Sequence, residues 1–458
     1  MQTLIALTAT GMITLFGGIF NYKKILLPLI YLGVAVALFF SISGWNQNIS
    51  IMNNMMMMDN YAICFSTLLM ILVLCVLFLY QQLIGKAETH EAEVYSILVF
   101  ATVGAVAMVS FTNMLMLFLG IEILSLSMYV LAGIRKTDLR SNEAAMKYFL
   151  MGSFSTGFLL FGIALIYGAV ASFDLKDIAN YASINATQLP GFFIAGMILI
   201  LVGLLFKVAA VPFQFWTPDV YDGSPTLVTA FMASIGKIAA IAAFYRLFSF
   251  AFADVASNYT NMLVWISIIT MTVGNLMALN QTSLKRMLAY SSIAHAGYML
   301  MAIVASNGMS AGSILYYSLA YGFASIITFG TVMLVEQQKG SANINDLAGF
   351  ARNNKLIAFA LLIALLTLSG IPVTAGFFGK FYLFSAAVQQ HQILLVVAGV
   401  INSFIGIYYY FAPIIQMYMR EGNSEPIQTK SLVKLGLVKF AVILLLAGII
   451  PAIIVKLI

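Results

Sequence analysis

The chain has 458 residues, of which 62% are hydrophobic and only 8% charged, with a formal net charge of +6. A soluble domain is about 25% charged, so this is the composition of a membrane protein, with no stretch left for a separate soluble domain. Two cysteines and three histidines (His90, His295, His391) show no zinc, haem or iron–sulfur spacing, and neither a dinucleotide-binding glycine turn nor a P-loop occurs, which excludes redox chemistry and ATP hydrolysis on this chain.

Apolar windows of about 17–25 residues predict about fourteen transmembrane helices. The first, 2–20, resembles a signal sequence but lacks a basic leader and a small-residue cleavage site, so it reads as a retained helix. Spans 25–44 and 60–84 follow. Between them NNMMMMDN, Asn53 to Asn60, reads as a helix lead-in or loop contact and not a metal-binding cluster, because methionines that close together do not share one helical face. Cys64 and Cys75 lie about 16 Å apart along the third span, too far for a disulfide. The remaining spans are 94–110, 112–133, 143–171, 191–221 with a break, 225–248, 258–279, 284–305, 311–335, 355–388 with a break, 392–418 and 433–455.

Basic residues sort by side. Loops after odd-numbered spans, together with Lys147 just inside the sixth span, carry sixteen Lys and Arg, from Lys23 and Lys24 through Lys86, Lys285 and Arg286 to Lys439; loops after even-numbered spans carry only Lys176 and Arg246. That bias puts the odd loops in the cytoplasm and both termini outside. The positive net charge is a topology signal, not a nucleic-acid footprint.

Three lysines fall within spans: Lys207, Lys237 and Lys380; one acid, Glu122, does the same. A charge near the bilayer centre costs about 2.5–3.5 kcal/mol on insertion scales and usually faces the bundle interior or a watery cavity. Lys237 lies about 13 Å from Arg246 along the eighth span, near mid-depth. The bland alternative is a permanent interhelical ion pair that only sets packing. Lys207 precedes Pro212, and Lys380 follows Pro372, with Gly376 and Gly379 between. Proline removes a backbone donor, so both spans are expected to break near their lysine. Freed backbone groups at that depth are tolerated only inside protein or beside water, and two interrupted helices in corresponding halves point to an ion site at the midplane.

Two polar stripes add to this line. Glu122 heads one with Ser125 and Tyr129; Ser291, His295 and Tyr298 form the other. A buried histidine is often a hydrogen-bonded structural residue, but an imidazole titrating near about 6.5 also suits a relay. Burial favours a neutral lysine and a nearby carboxylate favours a charged one. A Glu–Lys pair that opens and closes would therefore load and release a proton along Glu122, Lys207, Lys237, His295 and Lys380.

The stretches FKVAAVPFQFWTPDVYDGSPTLVTAFMASIGKIAA, SLKRMLAYSSIAHAGYML and SGIPVTAGFFGKFYLF resemble the antiporter-like subunits of bacterial respiratory complex I, the NADH-quinone oxidoreductase, across about residues 100–415. Lysine at 380, the wording WTPDVYDGSP and the short C-terminus after the last span resemble the N type; the M type usually has glutamate at the first of these, and the L type a long lateral helix. Gln214 departs from the pattern, since many N-type sequences have histidine there.

The resemblance implies an all-α polytopic fold with two inverted five-helix repeats, 93–250 (helices 4–8) and 251–420 (helices 9–13). Helices 7 and 12 would be discontinuous, with 1–92 a three-helix segment outside the repeats and 421–458 the last helix. It further implies that Glu122 and Lys207 are the family's Glu–Lys pair, Lys237 the central lysine, Lys380 the exit residue and His295 a polar position on helix ten. The implied function is proton translocation in the bacterial inner membrane, driven by electron transfer elsewhere. NADH, FMN, iron–sulfur clusters and quinone would reside in partner subunits, none on this chain. Expected neighbours are the M-type subunit, the small K/J/A-type subunits and lipid. Two rival readings share the residues: a subunit of a cation/proton antiporter or membrane-bound hydrogenase, and a scaffold that does not pump. Four buried charges argue against the scaffold.

Overall fold

The computed structural model describes residues 1–20, 23–83, 91–422 and 425–457. Lys86 and His90 lie outside the described residues. In lipid every backbone N–H and C=O must be satisfied within the protein, and the apolar segments accordingly form helices. They run α1 (Gln2–Ile19), α2 (Lys23–Ser43), a hairpin of β1 (Ile49–Ile51) and β2 (Met56–Met58), α3 (Asn60–Leu83), α4 (Glu91–Ser110), α5 (Met114–Ala132) and α6 (Leu139–Val170). A short amphipathic α7 (Leu175–Ile184) precedes α8 (Gly191–Val208), α9 (Trp216–Gly223), α10 (Thr226–Phe231) and α11 (Lys237–Phe250). The second half comprises α12 (Thr260–Leu279), α13 (Leu284–Ala305), α14 (Ser310–Lys339), α15 (Phe350–Asn353), α16 (Lys355–Ser369), α17 (Ala375–Gln389), α18 (Ile393–Met419), α19 (Ser431–Ile449) and α20 (Ala452–Val455).

Among the described residues thirteen helical segments are long and apolar enough to cross a membrane, with α10 and α11 counted as one. The pair α16 and α17, separated at Gly370–Thr374, supplies the fourteenth crossing in two pieces. The span from 191 is likewise divided, into α8 and α9.

Several local expectations are corrected. Within the run 53–60, Asn53 to Met55 form a turn and Asp59 leads into α3, but Met56–Met58 is a strand that pairs antiparallel with Ile49–Ile51, with Met56 and Met58 buried and Met57 partly exposed. Arg246 is not in a loop but inside α11, where it is buried. Arg140 lies within α6, which starts at Leu139 because Asp138 caps it by accepting from Arg140 N; Lys147 is inside this helix, as expected. Lys285 and Arg286 open α13 behind the Ser283 cap, and Lys434 and Lys439 lie in α19. The last span ends at Ile449, just before Pro451, instead of running to 455. The eighth span is also not a uniform α-helix, because Met232–Gly236 forms a π-helical turn directly before Lys237.

The core follows from burial. The stretch 226–250, α13 and α14 are almost wholly enclosed, whereas α1, α2 and α18 keep most of their surface outward. Close backbone approach between α6 and α8 rests on facing glycines. A Cβ on Gly196 would stand 2.9 Å from Gly162 O, so only small residues allow this crossing.

Candidate functional site

The two helix breaks set up the site. The first half-helix ends at Ala209 in the left-handed region, and α9 begins only at Trp216. Its freed groups find partners: Trp216 Nε1 donates to Phe206 O at 3.2 Å, and Val211 N donates to Thr270 Oγ1 at 3.0 Å. The second break turns at Gly370, whose φ of 85° suits glycine. There Lys380 Nζ donates to the freed carbonyl of Ser369 at 2.9 Å and stands 4.6 Å from the centre of the Tyr298 ring. Lys380 thus serves the break and faces the second polar stripe.

Lys207, one residue before the end of α8, turns toward α5. Its Nζ donates to Ser125 Oγ at 2.8 Å and lies 3.5 Å from Tyr129 OH. Glu122 forms no ion pair with it among the described residues, and Glu122 Oε1 is buried without a hydrogen-bond partner. The stripe expected from spacing is present, but hydroxyls hold the lysine while the carboxylate makes no ion pair with it.

Lys237 is 2% exposed, and its Nζ donates to Ser292 O at 2.6 Å and to Ser292 Oγ at 3.0 Å. No carboxylate pairs with it, so the permanent ion pair is absent among the described residues. Between the two lysines lies a cavity of about 20 Å³ lined by Ser125, Lys207, Trp216, Gly236 and Lys237. A void of that size holds about one water, and both lysines and the hydroxyl-bearing Ser125, Tyr148 and Tyr221 are among its lining residues. The π-turn ahead of Lys237 falls beside this cavity, as such turns often do at functional positions.

His295 on α13 is buried with both nitrogens engaged: Nδ1 with Tyr317 OH at 2.5 Å and Nε2 with Tyr410 OH at 2.9 Å. Tyr410 OH also bonds Ser291 Oγ. Tyr298 OH accepts from Ser403 Oγ at 3.3 Å. The structure therefore joins Ser291 and His295 through Tyr410, places the Tyr298 ring 6.0 Å from the His295 ring and sets Lys380 over the Tyr298 ring. Gln214 is buried in the first break, with Oε1 unpartnered.

A family model described as the transmembrane region of NADH:quinone oxidoreductase/Mrp antiporter proteins matches residues 111–406. An NADH-quinone oxidoreductase subunit N from Flavobacterium johnsoniae is 43% identical over 432 residues, 93% of this chain and 93% of that protein. The chain belongs to this antiporter-like family, in its subunit N branch. A chain of respiratory complex I from Thermus thermophilus with bound aureothin superposes at a TM-score of 0.84, with 30% identity, over 99% of this chain and 98% of that one. A chain of the Mrp complex from Dietzia sp. matches at 0.88 with 17% identity, over 100% of this chain and 96% of that one, and shares the fold.

Within this antiporter-like framework, sequence reasoning missed Ser292, Tyr317, Tyr410 and Ser369, which hold the expected residues in place. The one available signal was tyrosine density in LYYS and IYYYF. Removing the bridging hydroxyl with Tyr410→Phe leaves His295 Nε2 and Ser291 Oγ without their shared partner. The expected cost is about 1–3 kcal/mol, read as a lower melting temperature of the purified assembly. A wild-type melting curve would mean the network is not closed as described.

Proposed function

We propose that this chain is a proton-translocating membrane-arm subunit of a bacterial NADH:quinone oxidoreductase, moving protons through Glu122, Lys207, Lys237, His295 and Lys380. The observation that carries the reading is the pair of lysines, Lys207 and Lys237, lining one water-sized cavity in a chain of the subunit N family. Neither amine is locked to a carboxylate, so each is free to exchange its proton with a neighbour. Ser125 and Tyr129 orient Lys207, while Ser291 and Tyr298 support the His295–Lys380 side. Pro212 and Pro372 keep the breaks open.

The residues fall into a first repeat, 93–250, a second inverted repeat, 251–420, a three-helix segment, 1–92, and a last helix, 421–458. The protein lies in the inner membrane with both termini periplasmic and the basic loops cytoplasmic, following the charge bias. Its neighbours are an M-type antiporter-like subunit and the small K/J/A-type subunits. NADH, FMN, iron–sulfur clusters and quinone are held by partner subunits; among the described residues no three His, Cys, Asp or Glu side chains come together to hold a metal.

Glu122→Ala in the assembled complex tests the reading. NADH oxidation should continue while the number of protons moved per electron pair falls, measured by acidification of inverted vesicles against NADH absorbance. An unchanged ratio would remove Glu122 from the path.

A further inference from the structure

A second and larger cavity, of about 600 Å³, lies on the side of the hairpin and α7. Asp59, Thr112, Asp174, Lys176, Asp177, Arg246 and Ser249 are among its lining residues. Three carboxylates against two cations leave it one negative charge, which favours protons over anions. One of these lining residues, Arg246, is buried. Arg246 grips Asp59 with two bonds, NH1 to Oδ1 at 3.0 Å and NH2 to Oδ2 at 2.9 Å. It also donates from Nε to Phe111 O at 2.9 Å and from NH1 to Val109 O at 3.2 Å.

Those two carbonyls decide the meaning of the contact. The small cavity at Lys207 and Lys237 is lined by Met108, and the large one by Thr112. The strip between them is residues 109–111, the one Arg246 is bonded to. Arg246 also shares α11 with Lys237, about 13 Å further along the axis. A guanidinium keeps its proton in proteins, so Arg246 is unsuited to relaying one and well suited to blocking a path electrostatically.

We infer that the large cavity is an outward vestibule and that Arg246, latched by Asp59, is the plug separating it from the central lysines. A proton leaves or enters on the hairpin side when the latch opens and the guanidinium swings away from Val109 and Phe111. The inference rests on the proton-translocation reading.

The test labels spheroplasts carrying the assembled complex with Ser249→Cys, using the membrane-impermeant cation 2-(trimethylammonium)ethyl methanethiosulfonate, and then prepares inverted vesicles from them to measure NADH oxidation and proton translocation. Intact-mass measurement of the subunit reports labelling, with the wild-type chain and its buried Cys64 and Cys75 as the control. Labelling is expected, and the fixed positive charge should lower proton translocation at least about twofold relative to the same unlabelled variant while NADH oxidation continues. Absence of labelling, or labelling without loss of translocation, overturns the vestibule. Lys237→Met, run in parallel, keeps the two ideas apart: if it abolishes this subunit's share of pumping while the labelled Ser249→Cys complex pumps normally, the central relay stands and the vestibule falls.

The plug is read with Asp59→Asn, which keeps the side-chain oxygen that accepts from Ala62 N at the start of α3 but weakens the latch. An imposed pH gradient should decay at least about twofold faster in vesicles holding this variant. Decay at the wild-type rate, with the complex assembled and oxidising NADH, overturns the plug.

Discussion

Lys237→Met is expected to leave the complex assembled and oxidising NADH while the share of protons moved by this subunit is lost. Methionine follows the lysine stem closely in length and is apolar, so it fills the same enclosed volume. Replacing a buried charge by a hydrophobic residue of similar size is often neutral or stabilising. The group left behind is not stranded, because Ser292 Oγ also donates to Ala289 O at 2.8 Å. A melting temperature near that of the wild type, together with a fall in protons moved per electron pair, therefore separates a proton-transfer role from a packing role. Lys237→Arg sharpens the contrast. It retains the positive charge but does not release a proton in the working range, so pumping should be lost there too. If Lys237→Arg pumped normally, a fixed charge would suffice and Lys237 would be no carrier.

The path of the chain through the membrane was legible because a bilayer fixes helix length and because proline marks the breaks at 209–215 and 370–374. What the apolar windows could not carry was tertiary pairing. Arg246 reads as a loop residue because it ends an apolar window, yet Asp59, from just before α3, neutralises it inside the fold. The strand Met56–Met58 has no alternating polarity to announce it and exists through its pairing with Ile49–Ile51. On α13, spacing from His295 selects Ser291, while Ser292, one residue on, faces Lys237 from across the interface with α11. The pairing of Glu122 with Lys207 was implied by the family resemblance, but the hydroxyls of Ser125 and Tyr129 that hold the Lys207 amine in place of a carboxylate were not foreseen in that role. Side chains meeting between helices depend on crossing geometry, and a periodicity along one helix does not contain it.

Gly376→Ala is expected to be the most damaging small substitution in the second half of the chain. A Cβ at that position would stand 1.7 Å from Thr367 O, across the break between α16 and α17. Neither side can yield cheaply. The carbonyl belongs to the last turn of α16, where it accepts from Gly370 N at 3.1 Å, and no flexible side chain lies between the two backbones. The first turn of α17 must therefore move away from α16 by more than an ångström. Overpacking of this kind costs about 1–3 kcal/mol, occasionally more, and a backbone-on-backbone clash belongs at or above the upper end. Lys380 lies one helical turn beyond Gly376, so the same shift draws its amine off the Ser369 carbonyl. Two readouts should move together: a markedly lower melting temperature, and weaker proton pumping in whatever fraction still assembles. Gly157→Ala in α6 is the control, since its Cβ would meet nothing within 4 Å and alanine favours a helix over glycine by about 1 kcal/mol. If Gly376→Ala melted like Gly157→Ala, α16 and α17 could not be as close as described, and the hold of the break on Lys380 would have to be abandoned with it.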